Sequence, residues 1–148
     1  MKRILQLVLV LFIAISCELK EDDSCFSPPR QFNFDLVDAT SLENLFSNET
    51  FTESAIKVYD ETDEEVEFRL VFHDGRYILS LGDIGWELDP KTYTIELSSE
   101  TSIVFTLDVD KMRSGSCTYF EVKEFNVIGY EYEELLPTGI IQIKIELN

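Results

Sequence analysis

Residues 65–81 read EVEFRLVFHDGRYILSL, in which two apolar segments flank the dipeptide Asp74-Gly75. Apolar residues recur at every second position before this dipeptide, the spacing of side chains on one face of a β-strand: Val66, Phe68, Leu70 and Phe72. Asp-Gly between two such segments favours a type I′ turn, because both central residues of that turn need a positive φ. The stretch therefore predicts an antiparallel β-hairpin.

The same period of two recurs along most of the chain. It occurs in four further segments: Gln31–Leu36, Tyr93–Leu97, Ile103–Val109 and Ile141–Leu147. The segment 117–127 also alternates but changes parity after Val122, which is typical of a β-bulge. Residues 54–59 predict one more strand. About eight strands at intervals of ten to twelve residues, without a helical period, indicate an all-β protein.

Alternation of apolar and polar side chains is typical of antiparallel sheets with one solvated face. The predicted fold is therefore an antiparallel β-sandwich of immunoglobulin-like or transthyretin-like kind. A closed β-barrel of lipocalin type is the alternative. The last segment, Ile141–Leu147, carries an apolar row that needs cover, which places it inside a sheet.

The N-terminus has the form of a secretory signal. Lys2 and Arg3 precede an apolar run, Ile4–Ile15. As a helix this run would reach roughly 18 Å, well short of a hydrocarbon core of about 30 Å. A cleaved signal peptide over residues 1–16 is therefore expected rather than a membrane span. The segment Ala14-Ile15-Ser16-Cys17 resembles the lipobox of bacterial lipoproteins, which implies acylation of Cys17 and cleavage before it. An ordinary signal with an incidental cysteine is the alternative.

A charged segment follows Cys17. We expect residues 17–29 to hold the lipidated cysteine and an acidic tether, and residues 30–148 to form the β-sandwich domain. Lys20-Glu21-Asp22-Asp23 resembles the surface-export signal of Bacteroidota lipoproteins, which implies display on the outer leaflet of the outer membrane. The periplasmic leaflet is the alternative location, and a plain solvated linker explains the same residues.

The chain has three cysteines. If Cys17 carries lipid, Cys25 and Cys117 remain as an even pair outside the cytoplasm, where disulfides persist. We therefore predict a disulfide between them, with two free buried thiols as the alternative. A nucleophilic thiol would need a nearby base, and His73 is the only histidine.

Several segments together resemble small outer-membrane lipoproteins of Bacteroidota. They are Cys25 with Pro28-Pro29, Phe32–Asp38, Glu43–Phe46, Ile56–Val58 and Ser116–Val122. The resemblance implies an envelope location and a β-rich body. It implies no catalytic residue and no cofactor.

Composition narrows the function further. The chain has 12 Lys+Arg against 29 Asp+Glu, a formal charge of −17. Such a surface repels nucleic acid and anionic lipid headgroups, so neither nucleic-acid binding nor polybasic membrane attachment is expected. The chain lacks the Gly-x-Ser-x-Gly and His-Glu-x-x-His motifs, and the acidic run Asp60–Glu65 lacks the spacing of an EF-hand. We therefore expect no enzyme, no metal site and no cofactor.

Three aromatic residues are candidates for ligand binding. Trp86 is predicted in a glycine-containing loop, and Tyr130 and Tyr132 in another. Aromatic rings on loops can stack on sugars or anchor a protein partner, although a lone tryptophan can also close the end of a core. We expect a lipid-anchored, non-enzymatic binding or accessory module of the cell envelope, with a glycan or an envelope protein as partner. A carbohydrate-active hydrolase using carboxylates and a purely structural envelope component are the alternatives.

Overall fold

The computed structural model of the chain describes residues 25–147. Nine strands run in this order: β1 (Phe32–Asp38), β2 (Lys57–Asp60), β3 (Arg69–His73), β4 (Arg76–Leu81), β5 (Lys91–Glu96), β6 (Ser102–Ser114), β7 (Cys117–Ile128), β8 (Glu131–Leu135) and β9 (Ile140–Ile145). Among these residues the helical structure is one 3-10 turn, Glu53–Ala55, and no helix there could cross a membrane. The expected signal peptide, Cys17 and the acidic segment up to Ser24 lie outside the described residues.

The strands form two sheets. One has five strands in the order β3-β4-β1-β9-β8, and the other has four in the order β2-β5-β6-β7. The sheets pack face to face, and within residues 25–147 no strand pairing closes them into one cylinder. The predicted β-sandwich is therefore confirmed, and the alternative of a lipocalin-like barrel is wrong.

The pair formed by β1 and β9 departs from the expected pattern. These two strands run parallel, with Phe34 beside Ile141 and Leu36 beside Ile143, whereas all other strand pairs are antiparallel. Alternation reports which face a side chain occupies and not the direction of the neighbouring strand, so the sequence could not distinguish the two. The expectation that the last strand lies inside a sheet is confirmed, because β9 has β1 on one side and β8 on the other.

The β3–β4 hairpin contains the predicted turn, with φ of 49° at Asp74 and 80° at Gly75. Its apolar row is buried over only part of its length. Leu79 is fully buried opposite Leu70, but Phe72 is 63% exposed and lies against Tyr77, with ring centroids 5.1 Å apart. The alternation of residues 65–72 predicts a core position for Phe72, and this prediction is wrong. Phe72 lies on the same face as Leu70 but next to the turn at Asp74 and Gly75, and its ring packs on Tyr77 instead of entering the core.

The core lies between the two sheets. Phe34 of β1 meets Phe105 of β6 with ring centroids 5.3 Å apart, and Tyr93 of β5 stacks on the same Phe105. The predicted parity change in β7 is also present. Asp108 lies opposite Glu124 and Val109 opposite Val122, which leaves Lys123 as the extra residue of a bulge.

The β6–β7 hairpin is the longest element, and its tip extends beyond the neighbouring strand β5 of the same sheet. β5 pairs with β6 only up to Leu107, so the distal part of β6 has no pairing with β5. On the other side of the hairpin, β7 pairs with residues 25–27. The Thr118 amide donates to the Cys25 carbonyl at 2.9 Å, and the Ser27 amide donates to the Thr118 carbonyl at 2.9 Å. Pairing with β7 therefore reaches back to Cys25, before the expected start of the domain at residue 30.

Candidate functional site

The predicted disulfide joins Cys25 to Cys117 across a sequence separation of 92 residues, with Cα atoms 4.4 Å apart. Cys117 is the first residue of β7, directly after the turn at Gly115 and Ser116. The bond therefore fastens the start of the described chain to the tip of the β6–β7 hairpin. Oxidised cysteines of this kind are typical of proteins outside the cytoplasm.

Three aromatic rings cluster beside this disulfide. Trp86 stacks on Phe26 with centroids 6.2 Å apart and meets the edge of Phe120 at 5.4 Å. Phe26 and Phe120 are themselves 6.1 Å apart. Phe26 is 56% exposed and Trp86 is 47% exposed, so Trp86 does not simply close the core. We call Phe26, Trp86 and Phe120 the aromatic cluster.

Gly85 positions the indole of Trp86. Its φ is +87°, and a Cβ at this position would lie 3.3 Å from Pro29 and 3.5 Å from the Phe32 ring. A glycine is therefore needed twice here, for the left-handed backbone and for the close approach of the loop to the core. The preceding residue of the loop, Ile84, is buried, which also fixes the position of the loop.

Tyr130 and Tyr132 do not join Trp86. Tyr132 lies within β8, which corrects the expected loop, and its hydroxyl donates to the Phe125 carbonyl at 2.9 Å. Tyr130 precedes β8, and its hydroxyl donates to the carbonyl of Ser102, the first residue of β6, at 3.2 Å. Ser102 is 114 − 102 = 12 residues from the hairpin tip at Ser114, or about 40 Å at the usual strand rise. Tyr130 therefore lies far from the aromatic cluster, whereas Tyr132 packs on Phe125, with ring centroids 5.6 Å apart, and makes no ring contact with Trp86.

The outer face of the five-stranded sheet carries a buried carboxylate. Asp35 is 2% exposed and accepts hydrogen bonds from Arg76 at 2.7 Å, Asn44 at 2.9 Å and Gln142 at 3.0 Å. Asn44 also donates to the Tyr77 carbonyl at 2.9 Å. Because the carboxylate is paired and hydrogen-bonded, burial does not leave it unsatisfied. The network holds four segments of the sheet face in a fixed arrangement.

A surface groove of about 410 Å³ lies on the same face. Its lining combines polar side chains with three apolar ones: Gln31, Asn33, His73, Ser80, Thr138, Val71, Ile78 and Ile140. Ile78 and Ser80 are buried on β4, which makes them the floor. The sequence offered no signal for this groove, because its residues alternate with core residues in the same way as those of any solvated sheet face.

A second depression, of about 450 Å³, lies at the turn between β5 and β6. Its lining is almost entirely short polar or charged side chains, including Ser98, Ser99 and Thr101. It has no apolar floor against which a ligand could pack. The groove on the five-stranded sheet is therefore the better candidate for recognition.

Some of the acidic residues in the described part of the chain stabilise their own turns and strands through hydrogen bonds and ion pairs. Asp60 accepts hydrogen bonds from the hydroxyl and amide of Thr62 and from the amide of Glu64, at 2.7, 2.8 and 3.0 Å. The Thr62 hydroxyl is the main cause of the lowered pKa of Asp60. Lys123 contacts Asp108 and Asp110, and the hydrogen bond to Asp108 raises the pKa of Lys123. Within residues 25–147, no group of three or more His, Cys, Asp or Glu could hold a metal ion.

Comparison with protein-family models, curated proteins and solved structures finds no match to this chain.

Proposed function

We propose that this protein is a lipid-anchored module of the bacterial cell envelope that binds a ligand without transforming it. The observation that carries the proposal is the disulfide between Cys25 and Cys117. An oxidised pair fits a compartment outside the cytoplasm, where the lipobox-like segment ending at Cys17 would place the chain. The folded body would then begin only 25 − 17 = 8 residues after the acylated cysteine.

The lipid anchor is tested with a fatty-acid probe in cells that express the protein. Cys17→Ala should abolish labelling and release the chain from the outer membrane, because the acyl chains provide the stable attachment. Cys25→Ser retains Cys17 and should be labelled like the wild type. Equal labelling of Cys17→Ala and the wild type would contradict the proposal.

The groove on the five-stranded sheet is the recognition surface of this module. Asn33, Ser80 and Thr138 provide groups that donate and accept hydrogen bonds, and Val71 and Ile140 provide apolar surface. Sugars present the same combination of hydroxyl groups and apolar C–H faces. The overall charge of −17 disfavours anionic ligands. We therefore propose a neutral glycan as the ligand.

A glycan array probed with the purified protein tests this assignment. Asn33→Ala combined with Ser80→Ala should lower affinity at least about tenfold, the cost of losing one or two hydrogen bonds to the ligand. Ser99→Ala, in the depression at the β5–β6 turn, is the control and should leave binding unchanged. Binding that is lost in Trp86→Ala and retained in the groove variant would instead place recognition at the aromatic cluster.

The same array separates the other classes of function. Turnover of a bound glycan that stops on replacement of one Asp or Glu would identify a carbohydrate-active hydrolase. A protein that binds nothing on glycan and envelope-protein panels would be a structural component of the envelope.

A further inference from the structure

Cationic and aromatic side chains share one face of the β6–β7 hairpin tip. Lys111 lies opposite Phe120 and Arg113 opposite Thr118, and Phe26 pairs with Thr118 on the other side of β7. Residues that lie directly opposite each other in a sheet project from the same face. Lys111, Arg113, Phe120 and Phe26 therefore lie on one face, with Trp86 packed against the two phenylalanine rings. We call these five residues the hairpin-tip face.

This face is locally positive in an otherwise acidic protein. Lys111 and Arg113 are exposed, and neither forms an ion pair with any carboxylate of residues 25–147. Asp110 and Glu121, which pair across the same hairpin, project from its opposite face. By contrast Lys91, Lys123 and Lys144 each contact two carboxylates. The hairpin-tip face thus combines exposed aromatic rings with two cations that no carboxylate of residues 25–147 neutralises.

The position of the face relative to Cys17 limits what it can contact. Cys25 is 25 − 17 = 8 residues from Cys17, a separation that cannot exceed about 29 Å even in a fully extended chain. An acylated Cys17 would sit at the boundary between lipid and water. The disulfide ties Cys25 to the hairpin tip, so the hairpin-tip face is held within reach of the lipid headgroups.

We propose that the hairpin-tip face docks on the phospholipid headgroup layer that holds the acyl chains of Cys17. Trp86 and Phe26 enter among the headgroups, where aromatic side chains are favoured, and Lys111 and Arg113 contact the phosphates. The inference rests on the proposed lipid anchor and adds a second attachment to it. Two attachments would fix the orientation of the body on the membrane. The turn between β5 and β6 lies at the opposite end of β6 from the docked tip and would point away from the lipid.

Trp86 is the only tryptophan and so reports directly on this contact. The acylated mature protein is reconstituted into vesicles of phosphatidylethanolamine and phosphatidylglycerol, with or without lipids brominated near the headgroup end of their chains. Brominated lipids should quench about half of the Trp86 emission, because the indole lies at the interface. The matched control is Trp86→Phe combined with Ser99→Trp, which moves the reporter to the exposed β5–β6 turn and should show no quenching by brominated lipid.

Charge variants test the role of the two cations. Lys111→Glu with Arg113→Glu should reduce the quenching by brominated lipid at least about twofold, because the face would then repel phosphate. Lys57→Glu with Arg69→Glu changes the net charge equally at exposed positions of β2 and β3 and should leave the quenching unchanged.

The outcomes separate this inference from the proposed function. One outcome overturns the docking alone: acylated protein floats with the vesicles, but the emission of Trp86 is the same in vesicles with and without brominated lipid. Trp86 that is shielded from aqueous acrylamide but not quenched by brominated lipid also overturns it, because a second copy or another protein would then cover the face. Protein without an acyl group on Cys17, shown by intact mass, overturns both.

Discussion

At the scale of single residues, Gly85 determines where Trp86 lies. Gly85→Ala should lower the free energy of unfolding by about 1–3 kcal/mol, since alanine is strained at positive φ and its Cβ would crowd Pro29. It should also shift the emission of Trp86 to longer wavelength as the loop moves away from the core. Urea unfolding followed by fluorescence measures both effects.

Gly129→Ala is the matched control for this prediction. Gly129 has a similar φ of +82°, but no atom lies within 4 Å of an added Cβ. It should therefore lose stability through the backbone alone and keep the native emission of Trp86. An unchanged emission in Gly85→Ala would show that the close approach to Pro29 does not position the indole.

Asp60 makes the stability of the folded protein depend on pH in the acidic range. Its lowered pKa means that its hydrogen bonds to Thr62 and Glu64 contribute stability above the unfolded value of about 3.9, and that this contribution is lost as the pH falls through the folded pKa. Asp60→Asn should therefore be less stable than the wild type near neutral pH. The difference between their urea midpoints should shrink as the pH falls below about 3.9. A difference that stays constant with pH would contradict this role of the carboxylate.

At the scale of elements, the disulfide joins the longest hairpin to the start of the body. The double variant Cys25→Ser/Cys117→Ser frees a loop of 92 residues in the unfolded chain, so it should lose about 4–5 kcal/mol of stability. The β-sheet signal in circular dichroism should persist, because the core between the sheets does not contain the bond. Reduction of the wild-type protein should reproduce this loss of stability. Equal urea midpoints for the unreduced wild type and the double variant would show that the bond does not form.

The alternation of apolar and polar side chains predicted most strands, because each of these strands buries one row of side chains in a common core. The change of parity after Val122 likewise predicted the bulge at Lys123. β8 was not predicted, because it is an edge strand that contributes little to that core. Its sequence is Glu131-Tyr132-Glu133-Glu134-Leu135. Its stability comes from pairing with β9 and from Lys144, which lies 3.8 Å from both Glu131 and Glu133. Such backbone and cross-strand contacts leave no period in the sequence.

At the scale of the whole molecule, the candidate sites are built from segments that are distant in the sequence. The sequence indicated the pairing of Cys25 with Cys117 and a loop position for Trp86. It could not indicate that Phe26 and Phe120, 120 − 26 = 94 residues apart, would surround that indole. It also could not separate the groove around Asn33 and Ile78 from an ordinary solvated sheet face, because a groove arises only when neighbouring strands and the Asp35 network are in place.

We propose that a lipid anchor at Cys17 and a disulfide at Cys25 together attach this β-sandwich to the envelope. Peptide mass mapping under non-reducing conditions, on protein extracted from membranes, tests both parts in one measurement. We expect a mature chain that begins at an acylated Cys17, together with a peptide pair joined through Cys25 and Cys117. Mature protein that lacks acyl groups on Cys17, or native protein in which Cys25 and Cys117 are both free to alkylation, would contradict it.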